Sequence, residues 1–159
     1  MENEVVQLIE RLGLEPHVEG GYFKRIYCSK QSLNSQSKQA LASSIYYLLT
    51  SNHAIGHFHK NSSDILHFHH GKGVIRYYLV SQQGELSTVD MGWDFRKGQV
   101  LQLLVPAGVW KASELIEGDA GLISEVVIPE FRFEDMVMAT QQDMLEWSDK
   151  AQSLLHLIR

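Results

Sequence analysis

The stretch Gly56-His57-Phe58-His59-Lys60-Asn61-Ser62-Ser63-Asp64-Ile65-Leu66-His67-Phe68-His69-His70-Gly71 carries the strongest indication of the fold. It contains two His-x-His pairs, one on each side of a short polar turn. In a β-strand, successive side chains point to opposite faces, so each pair places two imidazoles on one face. The pattern therefore predicts two neighbouring strands, joined at Asn61-Ser62-Ser63, that gather imidazoles and the Asp64 carboxylate in a small volume.

The histidines of this stretch are the candidate seat of chemistry. Six of the eight histidines in the chain lie between His53 and His70, a density that core or surface filling does not explain. Imidazole is the commonest metal ligand and titrates near physiological pH. Outside the stretch, we interpret His17 as a loop or surface residue. His53 is interpreted in the same way.

Short strands separated by turn residues extend on both sides of this stretch. Turns such as Gly71-Lys72-Gly73 and Pro106-Ala107-Gly108 separate them, and many short strands at regular spacing indicate a sandwich or barrel. Apolar residues at helical spacing predict a short helix before Gly13 and a terminal helix from Gln141 that breaks near Ser148. The predicted strands are Tyr22–Tyr27, Ser43–Thr50, Ile55–His59, Asp64–His70, Val74–Val80, Leu86–Met91, Val100–Val105, Leu122–Ile128 and Phe131–Met138.

The composition is typical of one soluble globular domain spanning residues 1–159, with 44% hydrophobic and 21% charged residues. The net charge of −5 argues against nucleic acid as a partner. The longest apolar runs are too short to cross a bilayer, so we expect no membrane partner. The first residues lack the pattern of a signal peptide, and the lone Cys28 cannot form an intramolecular disulfide. We therefore expect a cytoplasmic location.

Three groups of residues resemble one known superfamily. His57-x-His59, followed by Asp64 and then Gly71, resembles the first motif of the cupins. The segment that contains Pro106-Ala107-Gly108-Val109-Trp110-Lys111 is similar to their second motif. Pro16-His17-Val18-Glu19-Gly20-Gly21-Tyr22-Phe23 matches, with one change, the N-terminal signature of a cupin family of uncharacterised function. The resemblance implies an all-β fold: a double-stranded β-helix, or jelly-roll barrel, with short N-terminal and C-terminal helices. It also implies a pocket open at one end and a homodimer.

The residues leave the metal content open. His57, His59 and Asp64 supply two imidazoles and one carboxylate, a set that holds metals with open positions for substrate. A divalent iron, manganese or zinc ion on these three residues, in an oxygenase or isomerase, is one hypothesis. Against it, Lys111 stands where the resemblance expects a histidine, and an ammonium cannot donate a lone pair to a metal. Strand parity also places Asp64 on the face opposite His67 and His69.

The metal-independent hypothesis resembles the carbohydrate epimerases of the same fold, in which a histidine removes a proton next to a carbonyl. It predicts a small, polar, carbohydrate-like ligand and a base whose pKa lies near neutral pH. A third hypothesis is a ligand-binding module without turnover. The residues do not decide whether the chain is an enzyme. The predicted catalytic residues are His57, His59, His67, His69 and Tyr22, and the predicted ligand-binding residues are Glu19, Gly21, Tyr22, Asp64, Trp110 and Lys111.

Overall fold

Eleven strands in two antiparallel sheets form the framework of the protein, whose computed structural model describes residues 2–159. The six-stranded sheet has the order β1-β2-β3-β10-β5-β8, and the five-stranded sheet has the order β11-β4-β9-β6-β7. The strands are β1 Glu15–Pro16, β2 Tyr22–Cys28, β3 Ser43–Thr50, β4 Ile55–Asn61, β5 Asp64–His69, β6 Val74–Val80, β7 Leu86–Met91, β8 Gln102–Val105, β9 Trp110–Glu117, β10 Ala120–Ile128 and β11 Met136–Met138. The all-β jelly-roll prediction is confirmed.

The helices are short and lie at the two ends of the chain. The first, α1, runs over Glu2–Leu12, and Gly13 follows it with a positive φ of 61°. The predicted terminal helix breaks before Ser148, as expected, into α2 (Gln141–Met144) and α3 (Asp149–Gln152), and a 3-10 turn follows at Leu155–Leu157. Within residues 2–159, none of the helices is long and apolar enough to cross a lipid bilayer.

The two His-x-His strands lie in different sheets rather than beside each other. Strand β4 pairs with β9 and β11 in the five-stranded sheet, whereas β5 pairs with β10 and β8 in the six-stranded sheet. The polar turn at Ser62-Ser63 therefore carries the chain from one sheet to the other. As a consequence, His59 and His67 enter the interior from different sheets and do not lie along a shared ladder.

Two apolar clusters stabilise this arrangement. Between the sheets, buried side chains from both sheets pack together: Tyr47, Leu49, Ile75, Tyr77, Met91, Leu115 and Ile123. On the other face of the five-stranded sheet, Trp147 from the C-terminal segment packs against Phe58 and Trp110, with ring centroids 5.0 and 5.7 Å away. The C-terminal segment thus covers a sheet face that would otherwise be exposed to water.

Two elements differ from the prediction. Strand β9 was not among the predicted strands; its buried residues include Lys111 and Ser113, and polar side chains that face the interior remove the expected alternation. The predicted strand Phe131–Met138 is reduced to β11, since Phe133–Asp135 form a 3-10 turn before it. The first difference affects the interior of the barrel, because β9 supplies the buried Lys111.

Candidate functional site

A small polar cavity lies between the two sheets. Its volume is about 20 Å³, which gives room for about one water molecule. Polar side chains reach it from β4, β9 and β10, and from the turn that precedes β2. The polar lining residues are His17, Glu19, His59, Asn61, Lys111 and Glu125, and the apolar ones are Phe23, Ile45, Ile65, Val127 and Phe131.

Glu19 enters the interior because a glycine turn follows it. Gly20 and Gly21 have φ values of 113° and 67°, a region that side chains other than glycine rarely adopt. A Cβ at Gly20 would also overlap the carbonyl oxygen of Ile55. The Glu19 carbonyl accepts the backbone N–H of His57 at 2.7 Å, which fixes the turn against β4. The Glu19 carboxylate is thereby held inside the barrel, with a side chain only 7% exposed.

Glu19 and His59 form a buried acid–base pair. The His59 Nε2 lies 2.8 Å from the Glu19 Oε2, and the His59 Nδ1 donates to the His57 carbonyl oxygen at 2.8 Å. Both ring nitrogens of His59 therefore face acceptors, and one proton lies between Nε2 and Oε2. Burial by itself would raise the pKa of Glu19, but the charge and hydrogen bond of His59 outweigh it and lower that pKa to about 2.

Lys111 lies between a second carboxylate and a second imidazole. Its Nζ is 3.2 Å from the Glu125 Oε1 and donates to the His67 Nε2 at 2.8 Å. The His67 Nδ1 faces the carbonyl oxygen of Leu103 at 3.2 Å, which assigns the ring proton to Nδ1. All three side chains are almost fully buried. This arrangement engages both nitrogens of His67 in the resting state.

The charges of this second group follow from its burial and contacts. Burial raises the pKa of Glu125, but the Lys111 ammonium and His67 more than compensate and hold it well below its usual range. Burial and the neighbouring Lys111 lower the pKa of His67, so that imidazole is neutral at pH 7. The interior therefore contains two ion pairs, Glu19 with His59 and Glu125 with Lys111.

Aromatic rings close the cavity on the side of β2. The His17 ring contacts Phe23 edge-on at 4.5 Å and stacks on Phe133 at 5.9 Å, and Phe131 meets Phe133 at 5.0 Å. His17 lies in the loop between β1 and β2, as interpreted, but it is not a surface residue, because its side chain is only 4% exposed. Its Nδ1 accepts the backbone N–H of Glu19 at 3.2 Å, and burial lowers its pKa.

Two of the predicted catalytic histidines lie in the site and two do not. His59 lines the cavity, and His67 lies behind it in contact with the lining residue Lys111. His57 falls where a β-bulge separates Gly56 from His59, and its Nδ1 bonds the Glu19 carbonyl oxygen at 2.9 Å without lining the cavity. His69 shares the inward face of β5 with His67, but its Nε2 is bound to the Gly73 carbonyl oxygen at 2.7 Å. We correct both predictions on these contacts.

Several other predicted residues also lie outside the cavity. Tyr22 packs edge-on against the exposed His53 at 5.3 Å, since its neighbour Phe23 takes the inward position on β2. Gly21 serves packing, because an added Cβ would meet the Leu48 carbonyl oxygen at 2.7 Å. Trp110 belongs to the outer apolar cluster, with the Lys60 ammonium 4.3 Å from its ring centroid. Of the predicted ligand-binding residues, Glu19 and Lys111 line the cavity.

The predicted metal set is not assembled. Asp64 is exposed on the outer face of β5, where its Oδ1 accepts the Ala107 N–H at 2.8 Å, and His57 lies in the bulge of β4. Among residues 2–159, no three His, Cys, Asp or Glu side chains are grouped so that they could hold a metal ion. Lys111 fills the position where the resemblance expects a histidine. The donor set therefore does not fit a divalent metal.

Besides His17, sequence reasoning missed two polar lining residues, Asn61 and Glu125. Glu125 lies on the inward face of β10 between the buried Ile123 and Val127, so a charge at an apolar position of a strand was the available signal. Asn61 lies two residues after His59 on β4, at a position of the same parity. It was assigned to the turn, although β4 extends through it.

The comparisons with known proteins agree with this architecture. A family model described as "Cupin superfamily (DUF985)" matches residues 6–139. The chain belongs to this cupin family. The uncharacterized protein YML079W of Saccharomyces cerevisiae is 40% identical in an alignment of 157 residues, and the match covers 88% of this cupin and 77% of the yeast protein.

Solved structures extend the comparison to proteins of lower sequence identity. Protein SO0799 from Shewanella oneidensis is 31% identical with a TM-score of 0.88, and the match covers 96% of both chains. A mutant of the Bacillus subtilis oxalate decarboxylase is 13% identical with a TM-score of 0.57, and the match covers 91% of this cupin but 34% of the decarboxylase. The latter likeness shows the fold alone.

Proposed function

We propose that this cupin is a metal-independent enzyme that moves a proton on a small, polar, carbohydrate-like molecule bound in the cavity. One observation carries the proposal: the buried His59 Nε2 lies 2.8 Å from the Glu19 Oε2, and His59 lies directly opposite Lys111 in the β4–β9 ladder. An ammonium and an acid–base pair that line one cavity are the groups that proton transfer next to a carbonyl requires.

The proposed step uses Glu19 as the base and Lys111 as the electrostatic stabiliser. The Glu19 carboxylate takes the proton from the carbon beside a carbonyl, so that the C–H bond breaks and an O–H bond forms on Glu19. The electron pair moves to the carbonyl oxygen, where an N–H of Lys111 donates to the developing enolate. A proton returned to carbon by Glu19 or His59 completes an isomerisation or epimerisation. No electron acceptor is needed.

The low resting pKa of Glu19 fits this role when the ligand is included. His59 holds Glu19 ionised in the resting state, so the carboxylate is available to accept a proton at neutral pH. A ligand that separates the His59 Nε2 from the Glu19 Oε2 removes the main stabilising partner of the carboxylate. The basicity of Glu19 then rises on binding, because the remaining burial disfavours its charged form.

Ligand entry requires a movement of the aromatic closure. A cavity of about 20 Å³ is too small for a three-carbon molecule. The segment Phe131–Phe133 is the candidate for displacement, because Phe131 lines the cavity and Phe133 is 55% exposed. Displacing these two rings would open the interior without breaking a ladder between long strands.

Deuterium exchange tests the proposed function. Chelator-treated protein is incubated in D₂O with small hydroxyaldehydes and hydroxyketones, and loss of the C–H signal is followed by proton NMR. We expect exchange by the wild type and a loss of roughly 100-fold or more in Glu19→Gln, the usual effect of removing a general base. Glu134→Gln, at an exposed carboxylate, is the matched control and keeps the wild-type rate.

Two other results would contradict the proposal. Ligand binding without exchange would assign the chain to non-catalytic binding. Stoichiometric metal that is lost in His59→Ala, together with activity that chelation abolishes, would establish a metal-dependent site instead.

A further inference from the structure

Asn61 presents an acceptor that the protein leaves without a donor. Its side chain lines the cavity on the same strand as His59, and the residue is only 9% exposed. Within residues 2–159, no hydrogen-bond donor reaches the Asn61 Oδ1. Buried polar atoms are normally paired, because an unpaired acceptor loses its hydration without compensation. The cavity therefore requires a donor from whatever molecule occupies it.

The charges around the cavity restrict that molecule further. Each buried cation has its own carboxylate: His59 faces Glu19 at 2.8 Å, and Lys111 faces Glu125 at 3.2 Å. The interior has no surplus positive charge to neutralise a carboxylate or phosphate, and desolvating an unpaired anion is costly. An uncharged ligand suits this balance.

We propose that the cavity selects uncharged α-hydroxy carbonyl compounds, with the hydroxyl donating to Asn61 Oδ1 and the carbonyl oxygen accepting from Lys111 Nζ. Asn61 is then the residue that makes binding selective for ligands with this hydroxyl group. This inference rests on the proposed function, because it names the substrate class for the same site. The carbon between the two groups carries the hydrogen that Glu19 would remove, so binding and chemistry require the same arrangement.

Four small probes separate the parts of this inference. Hydroxyacetone carries both groups, acetone lacks the hydroxyl, 1,2-propanediol lacks the carbonyl, and pyruvate adds a negative charge. Affinities for wild-type protein are measured by saturation-transfer NMR titration. We expect hydroxyacetone to bind roughly ten-fold or more tightly than acetone, the effect of leaving one buried acceptor unpaired. It should also bind more tightly than the other two probes.

Substitution of Asn61 provides a second test of the inference. Asn61→Leu, which is similar in size and cannot accept a hydrogen bond, should reduce the ratio of hydroxyacetone to acetone affinity to about one. Asn52→Leu, in the exposed turn before β4, is the matched control and should keep the wild-type ratio. A thermal melt of each variant verifies folding, and the wild-type comparison stands even if Asn61→Leu does not fold.

The outcomes distinguish this inference from the proposed function. Equal affinity of the wild type for hydroxyacetone and acetone, tighter binding of pyruvate, or no binding of hydroxyacetone would each overturn the inference. Selective binding without deuterium exchange would support the inference and contradict the proposed reaction. Deuterium exchange on ketones with and without an adjacent hydroxyl would support the proposed reaction and contradict the inference about the hydroxyl group.

Discussion

Replacement of Lys111 by methionine would leave the Glu125 carboxylate buried without its cation. Lys111 and Glu125 are 3% and 4% exposed, and their Nζ and Oε1 atoms are 3.2 Å apart. Methionine fills a similar volume, so the change removes mainly charge. Removing one partner of a buried pair costs about 3–5 kcal/mol, because the remaining Glu125 carboxylate loses its ammonium and keeps only the His67 imidazole, whose Nε2 is 3.4 Å from its Oε1.

Thermal denaturation measures this cost. For a chain of this length, about 2–4 °C of melting temperature corresponds to each kcal/mol, so Lys111→Met should melt roughly 6–20 °C below the wild type. The double variant Lys111→Met with Glu125→Leu should recover most of the loss, since it leaves no unpaired charge. Arg132→Met is the control and should melt close to the wild type, because water screens its half-exposed pair with Asp135.

Two results would refute this reasoning. The first is a Lys111→Met variant as stable as Arg132→Met, which would mean that water reaches Glu125 in the native protein. The second is a double variant no more stable than Lys111→Met. That result would assign the loss to packing instead of charge. Circular dichroism at a single pH, with urea unfolding as a second measure, is sufficient to decide.

Two further predictions concern the Glu19 turn. The pKa of Glu19 is lowered to about 2 in the native state, so its stabilisation is fully present above its ordinary value of 4.5 and is lost as the pH falls towards 2. Urea unfolding at pH 6 should therefore give Glu19→Gln a lower free energy of unfolding than the wild type, and this difference in free energy should shrink at acid pH. A difference that stays constant with pH would contradict the lowered pKa of Glu19. Gly20→Ala should lower the melting temperature by several degrees, because its Cβ would overlap the Ile55 carbonyl oxygen. Gly71→Ala is the control and should melt close to the wild type, because its Cβ would have no contact under 3.7 Å. Equal melting temperatures for these two glycine variants would show that the turn relaxes.

The strands that flank the histidines could be predicted because their patterns are local. In β5 the predicted alternation is observed, with His67 and His69 buried and Asp64 exposed. Strand β9 could not be predicted from alternation alone. Its inward Lys111 is tolerated only because Glu125, from a strand in the other sheet, neutralises it.

The candidate site was predicted only in part, because several of its residues meet only after the two sheets have packed together. The glycine pair after Glu19 correctly indicated a special turn, and the histidine cluster correctly indicated a polar interior around His59 and His67. The bulge in β4 and the burial of His17 under Phe133 were not predictable. A bulge shifts side-chain parity without a clear mark in the residues around it.

Short-range alternation and turn residues were enough to predict a sandwich or barrel and to place His67 and His69 on the strand face opposite Asp64, and the resemblance to the cupins added the jelly-roll topology. The pairing of charges depends instead on the folded arrangement: His59 meets Glu19, 40 positions earlier, and Lys111 meets Glu125 across the barrel. Whether a buried charge is stable depends on what lies within about 4 Å of it, and that depends on how the sheets close around the interior. Local sequence patterns do not contain this information.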